Sequence, residues 1–385
     1  MASSNPIVRK AVNAQENTLK VSLLIGNGFD IGVGLKTKYI DFIKSYVVKS
    51  SPDNSTIAKL KEKIKQGDLD WGDAEYAFGQ LDFAEIGNGV ESAYRESLHD
   101  FQIALENYLS SESLRLTFPE KAHAILRESL LKSIIEIVAL PNNGSFLSKK
   151  TAVRLSIINF NYTDTVDRIV GGIESADVNN SGNVVRVYID SIVHAHGKLG
   201  SDILFGVDNA DQIKSQTLRL LSEEEGYLVK PARAEIGNCK FYKDAKTILN
   251  GSDVLVLFGL SYGKTDMTWW DDIASRIIYD TNRARCEVIL CPYTTDPIDV
   301  HTIDDERYVK RQERERFFSN FSGRMHNAVR VDRSALKRIH VIGYGPYNDW
   351  LSNNRYYCDP LRLHSIGVRC VTDYDGKPIT KARYP

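Results

Sequence analysis

Two glycines, an amide and a carboxylate crowd into Gly26-Asn27-Gly28-Phe29-Asp30, directly after the apolar run Val21 to Ile25. A turn without Cβ atoms lets backbone N–H groups approach a phosphate at the positive end of a following helix. The Gly26, Gly28 pair matches the first half of a dinucleotide fingerprint, but Ile31 stands where a third glycine belongs. The same residues equally suit a tight strand-to-helix turn capped by Asp30. Three more polar loops follow apolar runs. They are "NFNYTDTVDR" with Asn161, Tyr162 and Thr163, "HAHG" with His194, His196 and Gly197, and "GLSYGKTDM" with Gly259, Ser261 and Asp266. Each has a plain structural reading of its own. Thr163 or Asp164 suits a helix cap, Tyr162 a packing aromatic, Ser261 and Asp266 a turn before a helix, and either histidine a core position. Four such loops at strand ends are harder to explain separately, because open α/β sheets bind ligands in the crevice at the carboxyl ends of their strands.

Those loops need strands to carry them. Strand candidates lie at 21–25, 155–160, 184–189, 254–260, 286–291 and 339–344, and several are apolar at consecutive positions, as strands covered on both faces are. Helical periodicity fills the segments between them. The pattern predicts an α/β fold: a Rossmann-like, doubly wound, mostly parallel sheet with a large helical insertion after the first strand. The expected organisation is a flexible segment 1–20, then one α/β domain 21–385, with the insertion over 40–150 and a C-terminal extension over 330–385. The insertion is expected to pack beside the sheet and bring loops over a site at the strand ends. The charged segment Asp304 to Phe318 reads as a solvated helix face. His194 and His196 stand two apart and share a face in a regular strand; they diverge only if the strand ends near His194. His194 is assigned a structural role and His196 the cleft.

Composition narrows the classes. A formal net charge of −1, with 26% charged residues, gives no basic footprint for nucleic acid. No apolar run reaches the roughly 20 residues of a membrane span, and the first 20 residues lack the apolar core of a signal peptide. Five scattered cysteines without a CxxC pair read as reduced thiols of a cytoplasmic protein, and no metal site is expected.

Five stretches taken together, "LLIGNGFDIGVGLKTKYIDFI", "DWGDAEYAF", "NFNYTDTVD", "HAHGKLGSDILFGVDN" and "LFGLSYGKTDMTWWDDI", resemble the bacteriophage abortive-infection AbiH family from about Val21 to Ile273. AbiH proteins in turn look like remote relatives of the sirtuin-like domains of antiphage defence. That resemblance aligns Asn161 and Tyr162 with an Asn-Tyr pair, His196 and Gly197 with a His-Gly motif, and Gly259, Ser261 and Asp266 with a third loop. It departs at Asn27 and Asp30, where those domains usually carry small residues, and it lacks the zinc-binding cysteines of sirtuin deacetylases, which weighs against deacylation. The resemblance implies an antiphage effector that binds NAD as its substrate and hydrolyses the nicotinamide–ribose bond. Asn161 would orient a hydroxyl or water, and His196 would take the proton, since the unperturbed pKa of a histidine side chain, ~6.5, lies close to neutral pH. Gly26, Asn27, Gly28, Phe29, Asp30, Tyr162, Thr163, Gly197, Gly259, Ser261 and Asp266 would hold the nucleotide, with Gly28 near phosphate and Asp30 on a ribose hydroxyl or as a helix cap. Expected partners are the nucleotide and either a second copy of the chain or a trigger protein of phage or host. The alternatives are a nucleotide-binding sensor or interaction module without catalysis, or an enzyme acting on another nucleotide or on nucleic acid.

Overall fold

The computed structural model describes residues 18–49, 55–117, 122–139, 147, 152–180, 182–279, 286–292, 303–331, 333–342 and 369–370. Its strands are β1 (Thr18–Ile25), β2 (Leu116–Thr117), β3 (Ala152–Asn159), β4 (Ser175–Asn180), β5 (Asn183–His194), β6 (Val254–Phe258), β7 (Glu287–Cys291), β8 (Ile339–Val341) and β9 (Arg369–Cys370). Seven of them form one sheet in the order β4-β5-β3-β1-β6-β7-β8, and β2 pairs with β9 in a small antiparallel sheet. Every pairing from β5 to β8 is parallel, whereas β4 lies antiparallel on β5. Counted along the chain, the six parallel strands stand in the order 3-2-1-4-5-6, so the winding reverses between β1 and β6. A crevice opens at such a reversal.

Between β1 and β3 lie α1 (Asn27–Gly32), α2 (Tyr39–Val48), α3 (Thr56–Gln66), α4 (Ala74–Gly79), α5 (Phe83–Ile86), α6 (Val90–Arg115) and α7 (Ala122–Ala139). Ser55, Asp73 and Asp82 start α3, α4 and α5 by accepting backbone N–H bonds from Ala58, Tyr76 and Ala84. After β3 come α8 (Thr165–Val170), α9 (Gln216–Glu225), α10 (Lys230–Ile236), α11 (Lys240–Gly251), α12 (Met267–Tyr279), α13 (Ile303–Phe318), α14 (Gly323–Val331) and α15 (Arg333–Leu336).

The two sheet faces bury separate cores. Alternate residues of β1, Leu19, Val21, Leu23 and Ile25, face α7 and α8, while Leu24 faces the opposite core with α11, α12 and the C-terminal helices. A third core belongs to the insertion. There Phe101 stacks against Phe42, Phe78 and Phe205, with ring centroids 5.0–5.3 Å apart. Phe205, from the segment after β5, fastens the insertion to the sheet side of the molecule.

Three sequence expectations change. β1 starts at Thr18, so residues 18–20 of the expected flexible segment are strand; residues 1–17 lie outside the described residues. β4 was not expected, because "SADVNN" is too polar to read as a strand and is held only as an antiparallel edge on β5. The charged helix α13 is not merely a solvated face: Phe317 and Phe318 enter the second core and Glu313 is buried. Of the C-terminal extension 330–385, most lies outside the described residues. No helix among the described residues is long and apolar enough to cross a membrane.

Candidate functional site

The four polar loops meet at the crevice between β1 and β6. They line a cavity of 520 Å³ with Gly26, Asn27, Gly28, Asp30, Asn161, Tyr162, Thr163, His196, Gly259, Ser261 and Asp266 in its wall. The insertion supplies the facing wall through Lys38 to Ile40, Asp73, Glu75, Leu105 and Leu109, and α13 adds Arg316. Phe29 and Gly197 stay outside the wall. Phe29 is buried edge-on against Phe258, 6.2 Å between centroids. Gly197 has φ +81°, and a Cβ there would lie 2.0 Å from the Asp202 carbonyl. It serves the turn rather than a ligand.

The glycine turn also differs from a phosphate cradle. The Gly26, Gly28 and Phe29 N–H groups donate to the carbonyls of Phe258, Gly259 and Gly26. Gly259 has φ +63°, and a Cβ on it would sit 2.7 Å from Gly28 Cα. These glycines therefore bring two strand-end loops into backbone contact. Asn27 is likewise engaged: its Nδ2 donates to the Thr37 carbonyl and its Oδ1 accepts from the Thr37 hydroxyl. The cations in the wall come instead from outside the turn. Lys38 is exposed at the start of α2, and the Arg316 guanidinium lies 5.1 Å over the Tyr262 ring and bonds Glu313 at 2.7 Å.

Asp30 does not cap α1, whose N-cap is Gly26 without a side-chain bond. It is buried in the wall, where Oδ2 accepts from Thr163 Oγ1 at 2.5 Å and Oδ1 has no hydrogen-bond partner. Burial pushes its carboxyl up to about 6, against the lowering pull of the Thr163 bond. Asn159 builds the neighbouring loop by accepting from Asn161 N–H and donating to the Thr163 carbonyl. Asn161 Nδ2 donates to the Gly26 carbonyl at 3.1 Å, which sets its side-chain oxygen as the acceptor offered to the cavity.

The histidines diverge because β5 ends at His194. His194 bridges the Asn161 carbonyl (2.9 Å) and Asp167 (3.0 Å), and Asp167 in turn pairs with Lys198. It ties α8 to the loop and does not reach the cavity wall. His196 does, edge-on to Phe160 at 5.3 Å. Its Nε2 lies 2.9 Å from Asp266 Oδ1, although the ring nitrogen does not meet hydrogen-bond geometry. The contact is electrostatic.

Asp266 leads to residues that sequence reasoning missed. Lys230 Nζ sits 2.8 Å from Asp266 Oδ1 and 2.7 Å from Glu75 Oε2, and Glu75 Oε1 accepts from the Tyr162 hydroxyl at 3.3 Å. Burial opposes ionisation of Asp266, yet Lys230 and His196 overcome it and hold the carboxyl well below the usual range. Burial pushes Glu75 up in spite of Lys230. It also disfavours the Lys230 ammonium, but Asp266 and Glu75 more than offset this and hold it above the ordinary lysine value. Burial raises Tyr162 well above its ordinary value, and Glu75 adds to the effect. Glu75 stood within the noted stretch "DWGDAEYAF" without a role, and the one signal for Lys230 was a lysine in the apolar run "YLVKPA".

Such a site can bind a polar molecule and accept a proton at a histidine. The family model described as bacteriophage abortive infection AbiH matches residues 23–288. No curated protein matches the chain.

Proposed function

The chain belongs to the AbiH family of bacteriophage abortive infection proteins, and from that premise we propose that its cavity binds NAD and hydrolyses the nicotinamide–ribose bond. One observation supports this reading above the others. A general-base candidate, an amide and a buried carboxylate with an unpartnered oxygen converge on one cavity at the winding reversal of the sheet. The remote resemblance to sirtuin-like defence domains points to the same pair, Asn161 and His196.

The chemistry assigns each group a task. The bond between ribose C1 and the nicotinamide nitrogen breaks, and nicotinamide leaves with the electron pair. A water oxygen bonds to C1 and its proton passes to His196, giving nicotinamide, ADP-ribose and a proton. Asn161, fixed by its bond to the Gly26 carbonyl, orients the ribose hydroxyl or the water. Asp266 holds the imidazole ring from its Nε2 side. Asp30 Oδ1 accepts a ribose hydroxyl, and Lys38 and Arg316 face the diphosphate in place of the glycine turn.

Purified protein incubated with NAD, followed by measurement of nicotinamide and ADP-ribose, tests the reading. His196→Ala and Asn161→Ala are each expected to lower turnover by ~10²–10⁴-fold with nucleotide binding retained, and to abolish phage protection. Protection and NAD loss both surviving in His196→Ala would sink the mechanism. Protection by a wild-type chain that never consumes NAD, in the test tube or in infected cells, would leave a nucleotide-binding sensor.

A further inference from the structure

We propose that Lys230 is a positioning residue that keeps His196 able to accept a proton by cancelling the charge of Asp266. The inference rests on the role given to His196 above. A carboxylate 2.9 Å from an imidazole nitrogen favours the imidazolium, and an imidazolium is no base. The Lys230 ammonium reaches that same oxygen, Asp266 Oδ1, at 2.8 Å. Lys230 is buried and stands outside the cavity wall, whereas Glu75, Asp266 and His196 line it, so the lysine is no substrate contact. Glu75, from α4 of the insertion, holds the ammonium in place at 2.7 Å.

Other charged and titratable groups surround the cluster. Asp73 from the start of α4 and Asp208 both interact with Lys230 and Asp266, and the phenols of Tyr39, Tyr162 and Tyr242 lie within the same field. All of these remain when Lys230 alone is changed.

The test reads His196 directly. In protein labelled with ¹⁵N-histidine, its ring signals are assigned by their loss in His196→Gln and followed against pH. Lys230→Met is expected to move the His196 titration to higher pH by about one unit or more, because Asp266 then acts on the ring without its bonded ammonium, Lys246 remaining as a cation in its field. Lys230→Gln, which keeps a donor toward both carboxylates, is expected to do the same and decides the matter if Lys230→Met does not fold. Lys230→Arg is expected to return the titration toward its original position. An unmoved or lowered titration in a folded neutral variant overturns the proposal. The acid limb of NAD turnover against pH should move upward with it. Should the wild type consume no NAD, the hydrolysis reading falls, while the titration still decides the role of Lys230.

Discussion

Asp30 carries the cost of its site in its own ionisation. Its carboxyl titrates near 6 in the folded chain, against 3.8 ordinarily, because burial disfavours the charge. A raised folded pKa means that the stability linked to protonated Asp30 is complete below about 4 and is lost as pH rises through 6. Above that, the buried charge costs up to about 3 kcal/mol. Asp30→Asn is therefore expected to raise the denaturation midpoint at pH 8 and to leave it nearly unchanged at pH 4, while weakening nucleotide binding. A variant no more stable than wild type at pH 8 would contradict this account. At this scale the sequence made Asn161, His196 and Asp30 legible because they sit in polar runs at strand ends. Glu75 and Lys230 were not, since their significance is a contact across 155 residues of chain, and no local spacing encodes it. The glycine turn was legible as a turn, but what its amides bond was decided by a loop far downstream.

Elements bring the cavity walls together through two contacts that can be broken one at a time. Gly259→Ala combines a left-handed φ of +63° with a Cβ 2.7 Å from Gly28 Cα, so it is expected to cost about 1–3 kcal/mol and to push the β1 and β6 loops apart. Urea unfolding should show the loss, and calorimetry should show weaker nucleotide binding. Phe205→Ala removes a fully buried ring from between Phe78 and Phe101. Its expected cost is about 3–5 kcal/mol, accompanied by faster hydrogen exchange in α4 and α6 than in β1 and β3. Uniform exchange across the sheet and the insertion would argue that the two are one cooperative unit. Helices such as Tyr39–Val48 were legible because apolar residues recur at helical spacing. The edge strand β4 was not, because its pairing partner rather than its own polar residues makes it a strand.

For the whole molecule, the family match ends at residue 288, but the second core does not. It includes Phe317 and Phe318 from α13, Phe321 from the turn that follows, Met325 and Val329 from α14, and Ile339 and Val341 from β8. A chain cut after residue 292 is expected to lose cooperative unfolding by circular dichroism; a sharp transition in that fragment would show that the matched region folds alone. The α/β alternation and the insertion were legible at this scale from periodicity alone. The arrangement of three separate cores was not, because composition says what is buried and never against which neighbour. The cavity wall itself runs from Gly26 to Arg316, and β1 finds one of its two neighbours only when Val254–Phe258 arrives. A ribosome making this protein thus releases most of the chain before the first strand gains its second partner and the last cation joins the pocket. An incomplete chain that stops short of Arg316 therefore carries only part of the pocket, and the crevice is assembled late in synthesis, not as each loop emerges.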